Sequence, residues 1–177
     1  MLSFQPIAST ATPEFSQAWA LYEEAFPEEE RRSLAQQQKL LENPAYQFLF
    51  ISSEGVFRGF FGIWHLTGFT FLEHFAVAPA VRGEGIGRKA LEAVVKATPL
   101  PFILEAEPPL TEVAKRRISF YERAGFWVND FEYRQPPYGA EKPWVKLLLL
   151  SYPHVLGMPG LEEIKTQLYR QVYQQAV

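Results

Sequence analysis

Residues Arg82–Arg88 read RGEGIGR, a glycine-rich segment flanked by arginines. The residues before it, Phe71–Val77, are apolar and strand-like, and the residues after it place apolar side chains at helical spacing. A glycine-rich turn therefore joins a strand to the start of a helix. Backbone N–H groups at such a junction lack intrahelical partners and carry partial positive charge. The turn favours an anion, and phosphate is the commonest biological candidate.

The spacing of the glycines excludes two common phosphate-binding motifs. A dinucleotide fingerprint, G-x-G-x-x-G, would use Gly83 and Gly85 but needs a third glycine where Arg88 stands. A P-loop needs a Gly-Lys pair followed by Ser or Thr, and the sequence contains no Gly-Lys pair. The pattern that remains is Arg82-x-x-Gly85-x-Gly87, directly after a strand.

Length and composition bound the class of protein. With 177 residues, 47% of them hydrophobic, the chain is expected to form one domain over residues 1–177. The net charge of -3 argues against nucleic-acid binding through a basic surface. Since there is no Cys and the three His lack ligand spacing, no metal site is expected. We see neither a secretory signal nor a membrane-spanning run, and therefore expect a cytoplasmic protein with no membrane partner.

Hydrophobic periodicity and turn residues predict a mixed order of strands and helices. The predicted strands are Leu2–Ala8, Tyr46–Ser52, Val56–Leu66, Thr70–Val77, Phe102–Glu107, Phe126–Tyr133 and Trp144–Leu150. The first predicted helix begins after Thr10 or Thr12 and reaches about Ala25, and the others are Glu28–Leu41, Ile86–Ala97, Thr111–Ala124 and Leu161–Gln175. Thr111 is the expected cap of the fourth helix and Gly125 its expected stop. The expected hairpin turn between the second and third strands is Ser53–Gly55. Because the fifth strand follows a crossover helix, it is expected to pair in parallel with the fourth.

A second motif follows on the fourth helix, where Phe120–Phe126 reads FYERAGF. Together with the glycine turn, it resembles the signature of the GNAT N-acetyltransferase superfamily, whose fourth helix ends in F-Y-x-x-x-G-F. The resemblance covers about residues 4–152 and leaves residues 153–177 as an extension with an amphipathic helix. It implies an α/β (α+β) fold with a mixed, mostly antiparallel sheet of about six to seven strands. The sheet would splay between the fourth and fifth strands and carry helices on both faces.

The resemblance also implies that acetyl-CoA is the cofactor. Its pyrophosphate would lie on the glycine turn, and its pantetheine would lie beside the backbone of the preceding strand. Glycines in the turn let the backbone approach a phosphate without a Cβ clash. The candidate cofactor-binding residues are Phe75, Ala76, Val77, Arg82, Gly83, Glu84, Gly85, Ile86, Gly87 and Arg88.

The resemblance places a general acid at Tyr121, beside the departing sulfur. Two carboxylates compete as general base. Glu73 ranks first, because the apolar neighbours on its strand face favour a more basic carboxylate. Glu105 stands on the strand where some relatives carry a catalytic Glu, and proton removal through water with both carboxylates structural stays open. Strict alternation would put His74 on the face opposite Glu73, so at most one of them should line the acceptor site.

The leading hypothesis is an acetyl-CoA-dependent N-acetyltransferase that transfers acetyl directly to a primary amine of a small molecule or peptide. The alternative is a non-catalytic acyl-CoA-binding or sensor module, which Tyr121 and the two carboxylates disfavour. An acidic and aromatic pocket of Glu28–Glu30, Trp64, Tyr133 and Tyr138 would suit a cationic amine. Three roles stay open for the last helix: docking on its own domain, a lid, or the contact of a homodimer.

Overall fold

The computed structural model of the protein describes residues 1–176. These residues form two compact units, of which the first ends at Leu100 and the second begins at Pro101. Each unit contains antiparallel strands, helices and its own set of buried side chains. Within residues 1–176, no helix has the length and apolar character needed to cross a bilayer.

The first unit is built on four antiparallel strands that pair in chain order. The strands are β1 (Leu2–Pro6), β2 (Tyr46–Ser53), β3 (Val56–Leu66) and β4 (Phe69–Val77). The helices are α1 (Pro13–Ala25), α2 (Leu34–Leu40) and α3 (Ile86–Lys96), with 3-10 turns at Glu28–Glu30 and Pro79–Val81. A two-residue turn joins β2 to β3, and both of its residues, Glu54 and Gly55, have positive φ, as a tight hairpin requires.

Aromatic side chains form the core of the first unit. Phe60, Phe61 and Phe71 are fully buried on the sheet. Of the two caps that the sequence offers, Thr12 is the one used, because Thr12 Oγ1 accepts a hydrogen bond from the Phe15 N–H at 3.2 Å. Tyr22 of α1 meets Phe60 edge-on at 6.0 Å. Burial of these apolar rings is the main source of stability for the unit and fixes α1 on the sheet.

The pairing of β3 with β4 contains a bulge at Glu73. Gly62 pairs with His74 and Ile63 pairs with Leu72, so Glu73 is the extra residue on β4. The bulge brings Glu73 Oε1 to 4.0 Å from His74 Nδ1. The expectation that these two side chains lie on opposite faces is therefore wrong, because it assumed an unbroken two-residue period.

The predicted helix Glu28–Leu41 is also wrong as a single element. A 3-10 turn at its start gives way to extended backbone at Arg31, and α2 begins only at Leu34. Ser33 caps α2 in a reciprocal capping box with Gln36. The chain is extended here because the Arg32 N–H donates to the Tyr22 hydroxyl at 2.6 Å, a tertiary contact that local helix propensity does not include.

The second unit is organised around β8, which pairs antiparallel with three other strands. The strands are β5 (Phe102–Ala106), β6 (Trp127–Val128), β7 (Tyr133–Gln135) and β8 (Val145–Tyr152). The helices are α4 (Glu112–Arg123) and α5 (Met158–Gln167), and a π-helical turn at Leu168–Val172 follows α5. Helix α4 has the predicted Thr111 cap, and Gly125, at φ 98°, lies directly after its C-terminal cap residue, Ala124.

The predicted strand Phe126–Tyr133 is two short strands. The interruption lies at Asn129, whose side-chain Nδ2 donates to the Leu149 carbonyl at 3.1 Å and to Ser151 Oγ at 3.0 Å. Its Oδ1 accepts the Leu156 N–H at 2.9 Å. The chain is free to leave the ladder at this point because a buried side chain satisfies backbone groups that a strand would otherwise pair.

Candidate active site

The glycine turn links β4 to α3 as the sequence predicts. Gly83 and Gly85 have φ values of 88° and 75°, in the left-handed region that glycine adopts without strain. Gly85 is the N-cap of α3 and offers no side chain to the helix end. The first amides of α3 therefore point outward without intrahelical acceptors. A Cβ at either glycine would have no atom within 4 Å, so the turn has open space beside its backbone.

The basic side chains of the turn are tied to their own surroundings. Arg82 Nε donates to the Val77 carbonyl at 3.2 Å, which fastens the turn to the end of β4. Arg88 Nε donates to Glu92 Oε1 at 2.9 Å, and this hydrogen bond lowers the pKa of the Glu92 carboxyl. Just before the turn, the Phe75 ring stacks on Phe61 at 4.5 Å between centroids. These side-chain contacts hold the end of β4 and the turn in place.

Glu73 is buried in an ion pair. Its Oε1 accepts hydrogen bonds from Arg32 Nη1 and from Trp64 Nε1, each at 2.8 Å. The Glu73 side chain is 1% exposed and the Arg32 side chain 6%. The Arg32 guanidinium also lies 6.0 Å from the Trp64 ring centroid. The guanidinium, whose Nη1 lies 2.8 Å from Glu73 Oε1, favours the ionised form of the carboxylate.

A further layer of buried polar groups surrounds this ion pair. His74 Nε2 lies 2.8 Å from the Glu30 carbonyl, which can only accept, so this nitrogen carries the proton. Burial lowers the pKa of His74, which favours its neutral form, and raises the pKa of Tyr22 and of Tyr46. Gln37 of α2 donates to the Tyr46 hydroxyl at 3.0 Å. These contacts hold the segment between α1 and α2 against the sheet of the first unit.

Tyr121 lies on α4 and is 9% exposed. Its ring meets Phe120 edge-on at 5.2 Å and Phe126 at 5.8 Å. Within residues 1–176, its hydroxyl has no hydrogen-bond partner. Burial raises the pKa of Tyr121 to about 12, and the nearby charge of Arg117 only partly opposes this shift. The phenol is consequently protonated at neutral pH.

Glu105 lies among tyrosines of the second unit. Its Oε1 accepts the Tyr173 hydroxyl at 2.5 Å and the Tyr133 hydroxyl at 3.3 Å. The Tyr138 ring packs 5.3 Å from Tyr173, and the Tyr169 ring packs 5.9 Å from Tyr133. The carboxylate is thus oriented by neutral hydroxyl donors, in contrast to the guanidinium at Glu73.

Residues of the predicted acidic and aromatic pocket lie near two carboxylates, Glu73 in the first unit and Glu105 in the second. Trp64 donates to Glu73, and Glu30 contributes its backbone carbonyl to His74. Tyr133 and Tyr138 instead surround Glu105 and its partner Tyr173. Sequence reasoning missed Arg32 and Tyr173. Their partners lie 41 and 68 residues away in the chain, and no local pattern indicates such a pairing.

Three features together are typical of the acyltransferase class: a strand, a glycine turn with outward amides, and a helix that carries Phe-Tyr before a terminal glycine. Comparison with protein families gives the particular family: the sequence model of the acetyltransferase (GNAT) family matches residues 12–126. The chain belongs to this family. Comparison with curated protein sequences gives no significant match.

Solved structures agree with this assignment. A GNAT-family acetyltransferase from Bacteroides thetaiotaomicron is 31% identical, with a TM-score of 0.92 over 98% of this chain and 99% of the other. The ribosomal-protein-S18-alanine N-acetyltransferase of Escherichia coli is 18% identical, with a TM-score of 0.60 over 89% and 96%. An acetyl-CoA-bound GNAT acetyltransferase from Elizabethkingia anophelis is 15% identical, with a TM-score of 0.58 over 85% and 96%. The GNAT-like α/β fold expected from the sequence is confirmed.

Proposed function

We propose that the protein is an acetyl-CoA-dependent N-acetyltransferase that acetylates a primary amine directly, in a ternary complex. The observation that carries the proposal is the glycine turn, where open space beside the backbone meets the uncapped amides at the start of α3. Because the family match runs from residue 12 to residue 126, it crosses the boundary at Leu100. We therefore propose that both units serve one functional domain over residues 1–177.

The glycine turn fits the pyrophosphate of CoA. Open space beside Gly83 and Gly85 would let phosphate oxygens reach the backbone, and the amides at the start of α3 would donate to them. Arg82 keeps the turn against the end of β4, beside Phe75–Val77. We assign cofactor binding to these residues together with Glu84 and Ile86–Arg88. When bound, acetyl-CoA supplies the acetyl thioester.

Tyr121 suits the role of general acid. A phenol that is protonated at neutral pH and has no hydrogen-bond partner within residues 1–176 has its proton available. Tyr121 would donate this proton to the CoA sulfur as the C–S bond breaks and the amine nitrogen bonds to the acetyl carbon. Protonating the leaving sulfur avoids release of a free thiolate.

The contacts of the two carboxylates bear on which one takes the proton from the attacking amine. Protonation of Glu73 would break its ion pair and leave the Arg32 charge buried, at a cost of about 3–5 kcal/mol. The Glu105 carboxylate accepts hydrogen bonds from the Tyr133 and Tyr173 hydroxyls, which are neutral donors. We therefore place Glu105 ahead of Glu73 as the base, which reverses the ranking from sequence, and we assign Glu73 a structural role.

The test is a CoA-release screen with purified protein, acetyl-CoA and a panel of amines. The panel contains spermidine, aminoglycosides, free amino acids and a peptide with an N-terminal alanine. Release of CoA that depends on one of these amines, with the acetylated product found by mass spectrometry, supports the proposal. Calorimetric binding of acetyl-CoA without CoA release for any amine would instead indicate the non-catalytic binding module.

A further inference from the structure

The C-terminal extension lies outside the residues that the family match covers. The match ends at residue 126, whereas α5 and the π-helical turn occupy Met158–Val172. The extension is packed: Leu161, Ile164, Leu168 and Val172 are all buried. Their helical spacing explains why the extension packs, but it does not explain why the next residue, Tyr173, is also buried.

The π-helical turn changes the direction of Tyr173. The Tyr173 N–H donates to the Leu168 carbonyl at 3.1 Å, a hydrogen bond that spans five residues. One more residue in the turn than an α-helix holds lets both Val172 and Tyr173 be buried, at 5% and 7% exposure. Single π-helical turns occur frequently at functional sites. Here the turn brings the Tyr173 hydroxyl to Glu105.

The contact with Glu105 is short, and the extension does not depend on it for attachment. The Tyr173 hydroxyl lies 2.5 Å from Glu105 Oε1, which is the distance of a charge-assisted hydrogen bond. A separate anchor lies one helical turn earlier, where the Tyr169 hydroxyl donates to the Arg134 carbonyl at 2.6 Å. The extension therefore has one anchor that contacts the carboxylate and one that does not.

We infer that Tyr173 is a positioning residue of the acceptor site, which holds the Glu105 carboxylate in place for the incoming amine. The inference rests on the proposed transferase function and gives the extension a part in it. Titratable groups near Glu105 in the second unit include Tyr133, Tyr173 and Tyr169, and the pKa of Tyr169 is raised by burial and by the Glu105 charge. Of the hydrogen bonds from Tyr133 and Tyr173, that from Tyr173 is the shorter, so its loss is expected to have the larger effect on the Glu105 carboxylate.

The experiment compares Tyr173→Phe with Tyr169→Phe in the full-length protein. Both variants lose one hydroxyl from the extension, but only the first loses a donor to Glu105. The first readout is a carboxyl 13C NMR titration of Glu105, assigned with Glu105→Gln. Since a hydrogen bond to a carboxylate favours its charged form, the midpoint is expected to rise by about one pH unit in Tyr173→Phe. The midpoint in Tyr169→Phe is expected to stay within a few tenths of the wild-type value.

The second readout is steady-state kinetics with spermidine and with an alanine-initiated peptide as acceptors. In Tyr173→Phe, kcat/KM for the amine is expected to fall about tenfold, while the KM for acetyl-CoA is unchanged. Unchanged titration and unchanged kinetics, or equal effects in Tyr169→Phe, would overturn the inference. If the wild type acetylates neither probe nor any amine of the panel, the proposed function and the acceptor-site role fail together. The titration then still decides whether Tyr173 positions the carboxylate.

Discussion

The buried ion pair of the first unit gives the sharpest stability prediction. Arg32→Met keeps most of the side-chain volume but removes the guanidinium from Glu73, whose side chain is 1% exposed. Trp64 Nε1 would still donate to the buried carboxylate, but the guanidinium charge beside it would be gone. Removal of one partner of a buried pair costs about 3–5 kcal/mol, because the other charge is left uncompensated. We expect Arg32→Met to lower the free energy of unfolding by that amount.

A double-mutant cycle separates the ion pair from the packing of the arginine stem. In a Glu73→Gln background the buried Arg32 charge has already lost the Glu73 carboxylate, so Arg32→Met removes an uncompensated charge and is expected to cost close to zero. The coupling energy is then about 3–5 kcal/mol. The measurement is urea unfolding at pH 7 of the wild type, both single variants and the double variant. Arg31→Met is the matched control, because the Arg31–Glu23 pair is 3.8 Å long and partly exposed, and such pairs contribute about 1 kcal/mol or less.

The cycle has a clear refuting result. If Arg32→Met costs the same as Arg31→Met, or if its cost does not depend on Glu73, the ion pair carries no special energy. Glu73 would then be free to exchange its proton, and the reason for placing Glu105 ahead of it would be removed.

Three further results are expected. Tyr121→Phe should lower kcat at least tenfold at saturating acetyl-CoA, and unchanged turnover would remove Tyr121 as the acid. Since the pKa of Tyr121 is about 12, its ionisation should cause no loss of activity below pH 10. Gly85→Ala should raise the KM for acetyl-CoA and lower the free energy of unfolding by about 1 kcal/mol, whereas Gly68→Ala, which has the same left-handed strain, should only lower the stability. The same KM for acetyl-CoA in both variants would argue against phosphate binding at the turn. Because burial lowers the folded-state pKa of His74, the unfolded chain binds the proton first as the pH falls. The free energy of unfolding should therefore fall below about pH 6.5, by up to about 1.4 kcal/mol per pH unit. His74→Asn should lack this part of the slope in urea unfolding from pH 7 to 5.

Local signals predicted much of the secondary structure correctly. Thr111 caps α4, Glu54 and Gly55 form the hairpin turn, and Gly125 follows the end of α4, as the sequence indicates. Thr12, one of the two caps that the sequence offers, begins α1. Each of these features depends on residues only a few positions apart. Side-chain capping and left-handed backbone are properties of such short segments, so they can be recognised without the rest of the fold.

The errors lie where distant residues override local preference. The helix predicted from Glu28 breaks because the backbone of Arg32 binds the Tyr22 hydroxyl and its guanidinium binds Glu73. The bulge at Glu73 depends on the register of β3, which a single strand does not contain. The strand predicted through Asn129 is interrupted because that side chain bonds to β8.

Short motifs of fixed spacing were enough to indicate the family, the glycine turn and the helix that carries Tyr121. The environments of Glu73 and Glu105 follow from tertiary packing. One lies against a guanidinium and the other against neutral hydroxyls, and these donors come from residues 41 and 68 positions away. The chemistry of a buried carboxylate depends on the donors around it, and these are fixed only when distant parts of the chain pack together.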